Sequence, residues 1–205
     1  MNRVTALGVF LLRERRTSAR GVPYALGWVA FRGMDRYARV PVVGHGVLAD
    51  RLEAAHGAPV VLSGFLRERT ERTGETRLQV VAEEVFPVEL PTFQAPLGHP
   101  AADGYARAEV AGLVALEPKP LRGAVGLRVA VRVPEGDGWG TSFVNSVVLG
   151  ELPQGVGKGT RVYMAGALMP RKEAPERLTL YASELRVGVR VLMHLREVGE
   201  PELAF

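Results

Sequence analysis

Tyr37, Arg39 and His45 fall on one face of a segment whose other face is Ala38, Val40 and Val42, and Trp139 and Phe143 stand in the same relation to Val144 and Val148. Rings and guanidinium groups turned outward from a strand can stack on a flat ligand and pair with phosphate oxygens, chemistry that needs no catalytic group. Little else in the chain could do chemistry. His45, His56, His99 and His194 lack ligand-like spacing, and there is no Gly-rich phosphate loop, nucleophile elbow or His-Glu-x-x-His. The chain has no cysteine, which excludes disulfides and thiolate metal sites and suits a reducing cytosol. Neither enzymatic activity nor a cofactor is expected.

The isoelectric point is near 9.7, and 23 of the 26 basic residues are arginine, the side chain that best grips phosphates. A GC-rich genome would enrich arginine, glycine, alanine and proline in the same way, so position carries more weight than number. Residues 1 to 90 hold 13 basic against 10 acidic side chains, and the remainder 13 against 12. The cationic candidates are Arg13, Arg15, Arg16, Arg20, Arg32, Arg36, Arg67 and Arg69 in the first half, with Arg171 and Lys172 in the second. Two alternatives compete with ligand contact. The Arg13 to Arg20 group reads equally as a solvated hairpin, and Arg67, Arg69, Arg72 and Arg77 interleave with Glu68, Glu71 and Glu75, which favours surface pairing of modest value. Trp28 and Phe31 are further ring candidates on opposite faces of one strand, so one of them belongs to the core; Phe65 and Phe86 are expected to pack.

The elements that hold these residues occur twice. Gly57-Ala-Pro-Val60 through Gly64 and Leu66 returns 102 residues later as Gly159, Val162, Gly166 and Leu168; Arg77-Leu78 through Ala82 and Glu84 returns 100 residues later as Arg177-Leu178, Ala182 and Glu184. The two-residue difference falls between Glu71 to Glu75 and Glu173 to Pro175, which read as hairpin tips able to absorb it. Strand patterns cover Val4 to Leu12, Val22 to Arg32, Tyr37 to His45, Pro59 to Arg69 and Thr76 to Val88. Leu48, Leu52 and Ala55 at helical spacing before Gly57 predict a short helix between strands three and four. Three strands, a helix and two strands is the order of an OB-fold, a five-stranded Greek-key barrel. The second set of strands is Ala106 to Glu117, Ala124 to Val133, Trp139 to Leu149, Thr160 to Pro170 and Glu176 to Val189; Pro153 and its neighbouring glycines leave no helix there. The expectation is an all-β chain of two tandem OB-fold barrels, 1–90 and 105–196, joined by a Pro/Gly-rich linker at 91–104 without strand or helix and followed by an acidic tail at 197–205. Val4 to Leu12 lacks a small-residue cleavage site and reads as a buried strand rather than a signal peptide. No apolar stretch approaches the ~20 residues of a membrane span, so a soluble, cytoplasmic chain is expected.

With Arg3-Val-Thr, Arg39-Val40 through His45-Gly46-Val-Leu48-Ala49-Asp50, and Gly57-x-x-Val-x-x-x-Gly64-x-Leu66-Arg67-x-Arg69, the chain resembles the bacterial single-stranded DNA-binding (SSB) family. The match covers about the first 90 residues; the second half matches through its likeness to the first. What the resemblance implies is sequence-independent binding of single-stranded DNA in replication, recombination or repair, with replication or repair proteins as partners. It also implies a nucleoid-associated homodimer presenting four barrels, as in two-domain members of the family. The rings Trp28, Phe31, Tyr37, Trp139 and Phe143 would stack on bases, helped by His45, while the arginines named above, with Arg39 and Lys172, would meet phosphates. Arg39 and Glu71 stand where the family typically has a stacking Trp, His45 replaces a Phe, and Leu149 answers His45 in the second unit, which favours the first unit as the main binder. The acidic residues before Phe205 form only a partial likeness to the family's interaction tip. A second reading is an OB-fold adaptor acting mainly through proteins, as in the related PriB; RNA binding is a third.

Overall fold

The computed structural model describes residues 1–33, 36–70, 74–96, 98–171 and 177–188. Strands β1 (Asn2–Thr17), β2 (Pro23–Gly33) and β3 (Arg36–His45) precede a helix, α1 (Val47–Ala54), and then β4 (Pro59–Thr70) and β5 (Thr76–Pro87). Two short strands follow, β6 (Thr92–Gln94) and β7 (Pro100–Asp103). The rest of the chain forms β8 (Tyr105–Val114), β9 (Lys119–Leu121), β10 (Ala124–Glu135), β11 (Gly138–Leu149), β12 (Arg161–Pro170) and β13 (Leu178–Val187). The strand order expected from the repeat is present in both halves, with the helix in the first half alone among the described residues. No described helix is long and apolar enough to cross a membrane.

Each half closes on itself. β1 pairs antiparallel with β2 and β4, β2 with β3, and β4 with β5, while β3 and β5 close the ring in parallel. β8, β10, β11, β13 and β12 repeat that circuit, with β11 and β13 as the parallel pair. Period-two alternation fills the interiors: Phe10, Val29, Phe31, Val40, Leu62, Leu66 and Val80 in unit one, and Val110, Val129, Val144, Met164, Leu168 and Leu180 in unit two. Leu52 of α1 is fully buried over the end of the first barrel.

The repeated glycines have a structural cause. At Gly64 the β4–β5 register slips, so Ser63 faces Glu84 but Gly64 faces Ala82; at Gly166 the β12–β13 register slips in the same way between Glu184 and Ala182. The bulged strands swing a carbonyl toward the glycine, and a Cβ on Gly64 or on Gly166 would lie 2.0 Å from the oxygen of Val81 or of Tyr181. Only hydrogen fits there.

The two units share one sheet and one apolar cluster. β1 pairs antiparallel with β8 from Asn2 opposite Val110 to Leu7 opposite Tyr105. Hairpins then reach across in both directions. Arg36, at the β2–β3 end, donates to the Pro170 carbonyl at 3.2 Å and lies over Tyr181, while on the other side Phe143 N–H donates to the Glu68 carboxylate at 3.1 Å and Glu68 N–H to Ser142 Oγ at 3.0 Å.

Three expectations need correction. The 91–104 segment was expected to carry no strand, yet β6 and β7 form there, because β7 adds to the edge of β2 at Phe31 and Arg32 and buries Ala101 and Ala102. Strands of three and four residues are too short to show alternation. β1, expected to end at Leu12, runs on through Arg13-Glu-Arg-Arg16 to Thr17, past an irregularity between Leu12 and Glu14, so those arginines sit on the paired β1–β2 hairpin. Phe31 is 0% exposed in the first barrel and cannot stack on a ligand; Trp28 is the outward member of that pair.

Candidate nucleic-acid interface

Cross-strand register places residues on the outer face of unit one in rows: Tyr24 with His45, Leu26 with Val43, Trp28 with Pro41, Ala30 with Arg39, and Arg32 with Tyr37. Part of this face is covered by the chain itself. Val9, Leu11 and Ala30 are buried with Ala95, Ala101 and Ala102, and Trp28, Tyr37, Leu90 and Phe93 pack half-buried against them. The guanidinium groups of Arg13 and Arg39 lie over Trp28 at 5.8 and 5.7 Å. Burial under β6 and β7, which strap this face, raises the pKa of Tyr37, whose hydroxyl has no hydrogen-bond partner among the described groups.

The opposite end of that face remains open. A groove of about 340 Å³ is lined by Tyr24, His45, Arg67, Arg69 and Gln79 together with the carboxylates of Glu68 and Glu135. The Tyr24 and His45 rings are 5.9 Å apart and tilted by 43°. Burial, and secondarily the Arg67 charge, lower the His45 pKa from its ordinary 6.5. The imidazole therefore takes up its proton at a lower pH than a free histidine. A phosphate seated in the groove would favour the imidazolium, so binding of an oligonucleotide there would tighten by roughly two- to fivefold as pH falls through the window below 6.5, and His45→Gln would flatten that rise in binding titrations. Stability runs the other way across the same window, because the unfolded chain takes up the proton first.

Unit two presents the same face without a cover among the described residues. Its rows are Leu121 with Ala124 and Leu149, Lys119 with Gly126 and Val147, Arg128 with Asn145, Leu113 with Ala130 and Phe143, Arg132 with Thr141, and Pro134 with Trp139. Arg161 continues the Leu113 row on β12. Trp139 is 65% exposed, Phe143 is half-buried, and the guanidinium groups of Arg132 and Arg128 lie 6.0 and 4.7 Å from their respective ring centroids. Glu68 of unit one approaches Arg128 at 3.6 Å and accepts from Phe143 N–H, fixing this ladder to the other barrel. Two large rings and four cationic side chains, Lys119, Arg128, Arg132 and Arg161, on an open sheet face are suited to stacking on unpaired bases and meeting their phosphates.

The remaining candidates are dispersed. Arg15 pairs with Asp50 and Glu53 on α1, Arg16 with Glu14, and Arg32 with Asp103. Arg36 serves the inter-unit contact, and Arg171 donates to Thr179 Oγ1 at 3.0 Å. Arg20 is exposed in the β1–β2 turn, Phe65 is buried, and Phe86 is exposed. Lys172, Glu71, Arg72, His194 and the 197–205 tail lie outside the described residues. Tyr24, Arg128 and Arg132 were missed. The two arginines share a legible signal, since Arg128, Ala130 and Arg132 alternate with buried Leu127, Val129, Val131 and Val133. Tyr24 becomes visible only once the β2–β3 register sets it beside His45.

No protein-family model and no curated protein matches the chain. Among solved structures it is similar to the wild-type single-stranded DNA binding protein from Thermus aquaticus, with a TM-score of 0.66 at 19% identity over 93% of this chain and 94% of that one. A deletion mutant of that protein gives 0.64 at 21% identity over 92% and 95%. PriB from Ralstonia solanacearum matches 43% of this chain and 99% of its own at 20% identity and a TM-score of 0.35. The Thermus aquaticus likeness spans both units and shows a shared two-barrel fold.

Proposed function

We propose that the chain is a two-barrel protein of the SSB kind that binds single-stranded DNA without regard to sequence, residues 1–90 and 105–196 supplying one barrel each. The single observation that carries this reading is the open outer face of β10 and β11, where Trp139 and Phe143 stand beside Arg132 and Arg128. Every base has a flat face, so rings of this sort are indifferent to sequence, and arginines tracking the backbone add an affinity that falls with salt. The similarity to the Thermus aquaticus protein supports the same reading. No catalytic step is needed. Protection of exposed strands during replication, recombination or repair, on the nucleoid and as a homodimer presenting four barrels, follows as its cellular role.

Titration with oligo-dT, a matched RNA and a duplex at two salt concentrations tests the proposal. The expected result is tight oligo-dT binding that weakens linearly in log salt, with the duplex bound far more weakly. Binding of none of the three would reject nucleic-acid binding and leave the protein adaptor.

A further inference from the structure

Unit one already holds an occupant on its outer face. The Phe93 ring of β6 lies on the Arg32 guanidinium at 4.6 Å, and the two carboxylate oxygens of Asp103, at the end of β7, accept from Arg32 Nε at 2.7 Å and Nη2 at 3.1 Å. Arg32 in turn holds the Asp103 carboxyl below its ordinary pKa. One arginine thus carries an aromatic ring on its flat face and a pair of anionic oxygens along its edge. A nucleotide offers the same two groups, a base and a phosphate.

Arg132 occupies the equivalent place in unit two. Ala30 sits between Val9 and Arg39, Ala130 sits between Leu113 and Phe143, and two residues further along β2 and β10 come Arg32 opposite Tyr37 and Arg132 opposite Thr141. The surroundings differ. Val9 is 0% exposed beneath the β6–β7 strap, whereas its counterpart Leu113 is 44% exposed. Arg132 has Trp139 beside it and no ion pair among the described residues.

The geometry points to Arg132 as a nucleotide anchor, holding one base of a bound single strand flat against its guanidinium and that nucleotide's phosphate along its edge, as Phe93 and Asp103 sit on Arg32. The inference rests on the single-strand reading above. It assigns unit two the larger share of binding, against the sequence-based expectation for unit one, because the corresponding arginine of unit one is taken by the chain's own ring and carboxylate.

The test compares Arg132→Ala, Arg132→Lys and Arg32→Ala with the unmodified chain, using oligo-dT and an abasic strand of equal length at two salt concentrations. Arg132→Ala should weaken oligo-dT binding about tenfold and reduce the salt slope by roughly 0.7, the share of one phosphate on a single strand. Arg132→Lys should keep the slope and match the unmodified chain on the abasic strand, yet lose about fivefold on oligo-dT, since an ammonium keeps the charge that meets the phosphate but offers no flat face to the base. Arg32→Ala should stay within about twofold. Lysine performing like arginine on oligo-dT would overturn the stacked pose, and Arg132→Ala binding like the unmodified chain would overturn the anchor altogether while leaving single-strand binding in place. Failure of the unmodified chain to bind either strand would instead reject the reading beneath it. Thermal melting of the three exposed-site variants separates these outcomes from unfolding.

Discussion

Replacing Phe143 and Trp139 together by alanine should weaken binding to oligo-dT by between roughly thirtyfold and twenty-thousandfold, because base–aromatic stacking contributes about 1 to 3 kcal/mol per ring. Both rings lie on the outer face of β11, two rows apart, with Arg128 and Arg132 on the neighbouring strand. The fold should survive: Trp139 is 65% exposed, and the opposite face of β11 keeps Val144 and Val148 in the core. Equilibrium titration of the double variant, with a denaturation curve alongside, checks both parts. Trp139→Ala alone should show most of the stacking loss without structural cost, whereas Phe143→Ala also removes the ring under Arg128 and frees that guanidinium toward Glu68. Tyr37→Ala, by contrast, acts beneath the strap, so its larger effect should be on stability. Unchanged oligo-dT affinity in the double variant would remove the β11 face from the interface.

The second large effect concerns closure of the barrels. Gly64→Ala or Gly166→Ala should each destabilise the protein by about 3 kcal/mol or more, a large part of the roughly 5 to 15 kcal/mol that holds a domain together. In both cases the new methyl would sit 2.0 Å from a main-chain oxygen in the paired strand, and neither backbone can retreat without breaking the bulged ladder. Gly138→Ala is the fitting comparison. Its nearest neighbour is the Glu135 oxygen at 3.9 Å, so alanine there should leave the melting temperature almost unchanged. A Gly64→Ala protein as stable as Gly138→Ala would mean that the register slip does not force the close approach.

The repeat made much of this legible before any coordinates. Gly64 and Gly166, with Ala82-Glu-Glu84 and Ala182-Ser-Glu184, recur because each half needs the same bulge and the same missing Cβ to close. Parity placed Trp139 and Phe143 outward and Val144 and Val148 inward, since a strand's period of two leaves no third option. The strap escaped that logic. β6 and β7 pair with each other locally, but what holds β7 in place is the β2 edge, the burial of Ala101 and Ala102 and the Arg32–Asp103 ion pair, which spans 71 positions, so the Pro/Gly-rich stretch by itself announces little of them. Counting rings and arginines could not show that one face is filled and its twin is open. The choice between Trp28 and Phe31 was undecidable for a related reason: both suit a strand, and only closure of the barrel sets which side is inside.

The chain has two tryptophans, one on each face, and they report separately. Emission should be followed during oligo-dT addition in a Trp28→Phe protein, which keeps Trp139, and in a Trp139→Phe protein, which keeps Trp28. The account predicts strong, salt-sensitive quenching of Trp139 and little change at Trp28, held between Arg13, Arg39 and the strap. Quenching confined to Trp28, with Trp139 silent at saturation, would contradict it.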